Sequence, residues 1–337
     1  MTTANSLPTL LRSFFEDHLA GQRDVSPNTI MAYRDAFLLF LRFAAKRCNR
    51  QVIRLQLEDL GPATLQEFLN HLESERKNCV ATRNCRLVAI HRFFAYVAAC
   101  EPLHAQLCRR ILEIPIKKTT TCPMTYMERD EIKALLAAPE LSHPLGLRDL
   151  TVLTFLYNTG ARVSEAVGLD VPDVRFETPA QVRITGKGRK QRWCPLWTET
   201  TERLQAYLRQ RRLNERSPQP LFVNARGQRI SRHGVNIIVQ RHLRTAAKHR
   251  PSLERKRIGP HTFRHTAAMH LLQAGVELNV IRAWLGHVSI ATTSQYIEID
   301  MKMKREALQR CEPPASVTVR GNSWRLRGDL IQWLHDL

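Results

Sequence analysis

Clear sheet sequence is confined to one short stretch of this 337-residue chain ahead of its C-terminal extension, and that confinement decides its fold class. Gln181 to Thr185 alternates like a strand, Gly186-Lys187-Gly188-Arg189 has turn composition, and Gln191 to Leu196 returns as a partner strand. The other periodic segments repeat at helical spacing. The expectation is a mainly α chain with a small antiparallel β-sheet, in which Lys187 sits at or near a hairpin tip.

The first hundred residues read as successive amphipathic helices. Ser26-Pro27 supplies an N-cap and a first-turn proline, and Ile30, Tyr33, Phe37, Phe40, Leu41 and Phe43-Ala44 then recur at helical spacing, predicting a helix that ends near Lys46. Gly61-Pro62 starts a second helix with Leu65, Phe68, Leu69 and Leu72 on one face. Thr82 starts a third, carrying Leu87, Ile90, Phe93, Phe94 and Tyr96. The opposite faces hold Arg34, Arg76, Lys77, Arg83, Arg86 and Arg92. Singly each is an ordinary solvated charge; together they form a candidate surface for backbone phosphates.

The pattern breaks at Ile114-Pro115-Ile116-Lys117-Lys118-Thr119-Thr120-Thr121-Cys122-Pro123, a polar and β-branched stretch bounded by prolines. We place a helical domain at 1–112, a linker at 113–123, a second domain at 124–312 and a C-terminal extension at 313–337. The second domain opens with Thr125-Tyr126-Met127-Glu128, which fits a capping box. A strongly apolar helix follows at Leu150 to Asn158, then a short helix carrying Arg162 and Glu165. Beyond the hairpin the pattern is helical again from Thr198, broken by Pro218-Gln219-Pro220 and by Gly227.

Charge points to the partner. The chain has 51 Lys+Arg against 31 Asp+Glu, a formal net charge of +20, which favours a polyanion through phosphate contacts and counterion release. No apolar run approaches the roughly 20 residues needed to span a bilayer, and Met-Thr-Thr-Ala-Asn-Ser lacks the pattern of a signal peptide. A cytoplasmic protein without membrane partners is expected. The eight cysteines include no Cys-x-x-Cys pair, so reduced, buried thiols are expected rather than a disulfide framework or zinc site.

A string of cationic and imidazole residues carries the chemistry: Arg162, Lys187, His261, Arg264 and His287, ending in Tyr296. Phosphoryl transfer without a metal needs fixed positive donors for the non-bridging oxygens, a nucleophile, and an acid for the leaving alkoxide. Arg162 and Arg264 can hold a phosphate through planar forks. A lysine on a turn can protonate a leaving oxygen; Lys187 fits, with Arg189 and Lys190 as competing candidates on the same turn. Grouped carboxylates for a magnesium site are absent around these motifs, and His261 and His265 lack the glutamate of a His-Glu-x-x-His zinc motif. No metal or other cofactor is expected.

The ordered set resembles the tyrosine recombinases of the lambda-integrase and Xer type, over about residues 8 to 310. That family's order is Arg, Lys, His-x-x-Arg, His or Trp, then Tyr, and Arg162, Lys187, His261, Arg264, His287 and Tyr296 fill every position. The resemblance implies that Tyr296 attacks the scissile phosphate to form a 3′-phosphotyrosyl link and release a 5′-hydroxyl, with bond energy conserved in the covalent intermediate. It also implies that Lys187 is the general acid, His261 assists proton transfer and His287 hydrogen-bonds the phosphate. Glu165 would orient an arginine, and His265 would pack behind the phosphate site. The N-terminal helices would be a SAM-like core-binding domain, closing with the catalytic domain as a clamp around double-stranded DNA, and a tetramer on paired sites or co-assembly with related recombinases is implied.

With no further arm-binding domain ahead of it, the chain looks closer to Xer-like or transposon-borne recombinases than to larger phage integrases. Forty-one residues follow Tyr296. Met301 to Cys311 is expected to form a helix and Val317 to Val319 a strand, while Leu326, Leu330, Ile331, Trp333 and Leu334 make an apolar stripe suited either to docking on a neighbouring protomer or to folding back. Two alternatives differ in function: a type IB topoisomerase, which rejoins the same strand, and a DNA-binding accessory protein without catalysis. Covalent capture of DNA on Tyr296 separates the binder from the enzymes.

Overall fold

First-turn prolines and a capping serine set where several helices begin. The computed structural model describes residues 6–119 and 124–286, and the chain divides into two compact units, 1–122 and 123–337. In the first, α1 (Leu7–Ser13) runs into a π-helical stretch at Phe14–Gln22. α2 (Pro27–Arg47) opens with the Ser26 hydroxyl accepting the Thr29 N–H at 3.4 Å. α3 (Pro62–Ser74) starts at the expected glycine-proline pair. α4 (Val80–Cys100) begins two residues before Thr82. The chain has already reversed there, because Lys77 adopts a φ of 49° and the Asn78 N–H bonds back to the Leu72 carbonyl at 2.9 Å. α5 (Ala105–Leu112) completes the unit.

Phenylalanines fill the core of this unit. Phe14, Phe37, Phe40, Phe68, Phe93 and Phe94 are all buried, and the Phe14 and Phe37 rings meet Phe93 edge to face at 5.4 and 5.2 Å. Asn84 on α4 holds the departing chain: its amide donates to the Lys117 carbonyl at 2.8 Å, and the Lys117 N–H donates to its Oδ1 at 3.2 Å. With Ile114 packed on the same core, the first half of the polar segment 113–123 is bound to this unit.

In the second unit α6 (Arg129–Ala137) starts later than the Thr125–Glu128 pattern predicts. The box uses the next acidic pair instead, with the Glu128 N–H donating to Glu131 Oε2 at 2.7 Å. Upstream, Met127 is fully buried and its N–H donates to Thr266 Oγ1 at 3.0 Å, which commits that stretch to a tertiary contact rather than a helical turn. α7 (Gly146–Thr159) is buried on nearly every side, as its apolar run predicts. A buried ion cluster ties it to α10 (Arg232–Ala247): Asp149 accepts from Arg148 at 2.6 Å and from His242 at 2.8 Å.

After the short α8 (Val163–Val167) come β1 (Val174–Arg175), β2 (Gln181–Thr185) and β3 (Gln191–Pro195), an antiparallel sheet in the order β1-β2-β3. The β2–β3 hairpin is the one its alternation predicts. β1, paired at Val174 and Val182, is two residues long and too short to show a period. α9 (Thr198–Gln210), α11 (Pro260–Gln273) and α12 (Leu278–Leu285) complete the described elements.

The cysteine expectation holds only in part. Cys108 and Cys194 are buried, and burial pushes the Cys194 thiol up to about 12, but Cys79, Cys85 and Cys100 are exposed. Cys85 and Cys100 lie on α4 away from the face that carries Leu87, Ile90 and Phe93. Among the described residues no helix is long and apolar enough to cross a membrane. The expected C-terminal elements, Met301 to Cys311, Val317 to Val319 and the stripe from Leu326 to Leu334, lie outside the described residues, as do His287 and Tyr296.

Candidate active site

Two helix ends converge on one buried arginine, beside the turn end of a hairpin. α7 stops at Gly160, which takes a left-handed φ of 56°; a Cβ there would lie 2.5 Å from Leu285 Cδ2. The close approach lets Arg264, one turn into α11 and 1% exposed, reach both helix ends. Its Nη1 donates to the Gly160 carbonyl at 2.9 Å and its Nη2 to the Leu285 carbonyl at 2.8 Å. Those bonds satisfy carbonyls that the ends of α7 and α12 leave without helical partners. Trp284 reinforces the junction by donating its indole N–H to the Asn158 carbonyl at 3.1 Å.

Two residues beyond Gly160, Arg162 stands at the N-cap of α8. Its backbone N–H donates to Glu165 Oε2 at 3.0 Å and its Nη1 to Oε1 at 2.8 Å, so a single carboxylate fixes both main chain and guanidinium. The side-chain exposures separate the roles: Glu165 is 4% exposed while Arg162 keeps 37%. Burial alone would push the Glu165 carboxyl up, but hydrogen bonds and charge from Arg192, together with Arg162, outweigh it and hold the group below its ordinary value. Glu165 is a permanent anion at neutral pH.

Arg192 is the residue that the sequence reading missed. Its Nη2 donates to Glu165 Oε2 at 2.8 Å and its Nε to the Trp284 carbonyl at 3.0 Å, joining β3 to α8 and α12. The available signal was its register: Arg192 pairs with Ile184 and shares the inward face of β3 with Cys194, a position where a charge requires a partner.

On α11, His261 is exposed and His265 half-buried, with ring centroids 4.5 Å apart, edge to face. Loss of hydration pulls the His261 imidazole below its ordinary value, and the charges of Arg264 and Arg162 add to the effect. His265 is pushed down to about 4 by burial first, then by His261 and Arg264. Both rings are therefore neutral at pH 7. The shared influence of the two arginines on His261 places Arg162, Arg264 and His261 in one neighbourhood.

The Lys187 turn abuts this group. Lys187–Arg189 forms a 3₁₀ turn between β2 and β3, with Gly188 and Arg189 at φ of 72° and 57°, and a Cβ on Gly186 would sit 3.2 Å from Glu165 Oε1. Arg189 and Lys190 are exposed on the turn. Gly286 ends α12 with a φ of 67°, its Cα packed so that a Cβ would meet Arg192 Cδ at 3.0 Å; His287 and Tyr296 follow outside the described residues.

In the first unit the basic residues divide. Arg34 and Arg92 are exposed, Arg34 pairing with Asp35 at 2.8 Å, and half-buried Arg86 bonds the Asn78 side chain. Arg83 requires a correction. It is 6% exposed and donates to the Asn84 side chain at 3.0 Å and to the Pro115 carbonyl at 3.3 Å, so it holds the chain leaving α5 and has no surface from which to reach a phosphate.

The profile of the phage integrase family matches residues 125–303, and that of its N-terminal SAM-like domain matches residues 13–100. The chain is 42% identical, over the full length of both proteins, to y4rC of Sinorhizobium fredii, whose name assigns it provisionally to the integrase/recombinases. It is 31% identical to the tyrosine recombinase XerC of Pelobacter propionicus, covering 89% of this chain and 94% of that protein. Among solved structures, XerH bound to its difH substrate aligns over 88% of this chain and 84% of its own with a TM-score of 0.69 at 23% identity, a likeness of fold. With its motif order, its two units and these relatives in agreement, the chain belongs to the phage integrase family of tyrosine recombinases, enzymes that cut and rejoin DNA.

Proposed function

We propose that this chain recombines duplex DNA at a defined site, using Tyr296 as nucleophile. The observation that supports this most is the convergence of partly exposed Arg162 with Arg264 and neutral His261 beside the hairpin turn that carries Lys187. The two arginines would take the non-bridging oxygens and stabilise the added charge of a pentacoordinate phosphorus. The Tyr296 oxygen would bond to phosphorus, the bond to the 5′ oxygen would break, and that oxygen would take a proton from Lys187. His261, neutral at pH 7, can receive the tyrosine proton. His287 would hydrogen-bond the phosphate. Attack by the 5′-hydroxyl of another strand reverses the step and completes the exchange.

Arg34, Arg86, Arg92, Arg189 and Lys190 are the proposed backbone contacts; Arg83 is not among them. Assembly as a tetramer on paired sites, or together with related recombinases, and a docking role for residues 313–337 belong to the same reading. A cytoplasmic location is proposed with it. The relatives from Sinorhizobium and Pelobacter carry integrase or recombinase names, and neither the topoisomerase nor the accessory-protein alternative is favoured.

The test incubates wild type and Tyr296→Phe, in EDTA, with nicked suicide duplexes spanning the ends and junctions of the chain's native DNA locus. A protein–DNA adduct that resists SDS in wild type and vanishes in the variant supports the assignment. An adduct that persists in Tyr296→Phe shows another nucleophile, and salt-reversible binding without any adduct returns weight to the accessory-protein reading.

A further inference from the structure

Arg192 is a strongly basic side chain, 11% exposed, that faces inward from β3 and ends between a carboxylate and a backbone carbonyl. Burying such a charge is unfavourable unless its donors are used, and here they bridge three elements. Glu165 is the hub. Its Oε2 accepts from both Arg192 Nη2 and the Arg162 N–H, while Oε1 accepts from the Arg162 guanidinium. The other arm of Arg192 grips the Trp284 carbonyl in the last turn of α12, and its Cδ packs under Gly286, where the chain departs toward His287 and Tyr296. The Lys187 turn begins at Gly186, beside the Oε1 oxygen of the same carboxylate.

We propose that Arg192 is a positioning residue for DNA cleavage: by dividing the charge of Glu165 with Arg162 and gripping the end of α12, it sets Arg162 against the scissile phosphate in register with the chain that carries the nucleophile. The inference rests on the proposed role of Arg162. Its physical content is competition for one anion. With Arg192 present, Glu165 serves two cations and Arg162 keeps donors and exposed surface for the phosphate. Without Arg192 the full carboxylate charge falls on Arg162, drawing it back toward α8, and the α12 carbonyl loses a partner. Arg192 touches neither the nucleophile nor the leaving group in this scheme, so DNA affinity changes little while the rate of the chemical step falls.

The experiment uses the full chain and the nicked suicide duplex that wild type traps. It compares wild type with Arg192→Gln, Arg192→Lys, Glu165→Gln and the double variant Arg192→Gln/Glu165→Gln, with Arg162→Ala as reference. Single-turnover adduct formation, DNA Kd and thermal melting are read for each. Displacing a reactive group by a fraction of its contact distance is worth about 10²-fold in rate, so Arg192→Gln is expected to cleave about 10²-fold more slowly with Kd within about threefold. Arg192→Lys, which retains the charge on a single donor nitrogen, is expected to recover part of the rate. Because Arg192 acts through Glu165, the double variant is expected to lose far less than the product of the two single losses. Cleavage by Arg192→Gln within about threefold of wild type overturns the proposal. So do multiplying losses in the double variant, or a fall in rate that tracks Kd and melting temperature across all variants, including Arg192→Lys. If Arg162→Ala cleaves normally, the reading of the site itself fails, a result distinct from failure at Arg192 alone.

Discussion

Arg264 donates to the carbonyl of Gly160 at 2.9 Å, closing the end of α7 with a side chain from α11. A residue expected to bind a phosphate thus also holds together the frame from which Arg162 projects. Of the five N–H donors of a guanidinium, two go to the Gly160 and Leu285 carbonyls.

Arg264→Lys is accordingly expected to harm both chemistry and fold. An ammonium cannot span two carbonyls and a phosphate oxygen with fixed geometry. Single-turnover cleavage should fall about 10²- to 10³-fold, the range for losing an oriented donor in a transition state. Each carbonyl left without a partner costs about 1–3 kcal/mol, measurable as a lower urea midpoint. Full activity in the lysine variant would remove Arg264 from the chemistry.

Stability should decline in mild acid. His265 is pushed from 6.5 to about 4 on folding, so the unfolded chain binds the proton more readily between those values. Its contribution is complete above about pH 6.5 and is lost as pH falls toward 4. His261, His91 and His270 are shifted in the same direction, each chiefly by lost hydration, and act with the same sign. Urea midpoints at about pH 7.5 and about pH 5 measure the effect, and His265→Gln should shrink the difference between them.

Asp149→Asn should be among the most destabilising single changes in the catalytic unit. The carboxylate is 1% exposed, and Arg148 and His242 both donate to it. Burial opposes its ionisation, yet the hydrogen bonds and charges of His242 and Arg148 prevail and keep it below the usual carboxylate range. Removing one member of a buried charge cluster costs about 3–5 kcal/mol. Thermal melting reads the loss, while cleavage below the melting temperature should survive because the cluster serves packing of α7 on α10.

Arg83 and Arg92 lie on the same helix and should respond oppositely. Arg92 is exposed, and Arg92→Ala is expected to reduce the slope of log K against log salt by about 0.9 for each phosphate that the arginine neutralises. Arg83→Ala should leave that slope unchanged and lower stability, since its guanidinium holds Pro115. A changed salt slope in Arg83→Ala would reinstate it as a DNA-binding residue.

The elements and residues with local causes were legible in the sequence. Ser26-Pro27 and Gly61-Pro62 mark helix starts by capping and fixed φ, and the β2–β3 hairpin declares itself by alternation around a glycine turn. The sequence singles out Arg162, His261 and Arg264 by their order and Glu165 through the family resemblance, and all four lie at or on the described helices α8 and α11. What stayed hidden depends on tertiary partners. The start of α6 moves because Met127 bonds to Thr266, 139 residues away. Arg83 seemed a surface charge because helical spacing says nothing of a chain segment returning from Pro115 to cover it. Arg192 escaped because its partners, Glu165 and Trp284, lie 27 and 92 positions away.

The same frame sets how the enzyme behaves at rest. Two guanidinium groups, from Arg162 and Arg192, share the Glu165 carboxylate, and a third, from Arg264, closes the ends of α7 and α12. Their cationic character makes this corner of the catalytic unit receptive to an anion. A phosphodiester docking there would add a bound anion to that frame. By linkage, DNA should tighten this corner of the fold more than the rest, so the catalytic frame reaches its most rigid form on its substrate and remains looser in solution.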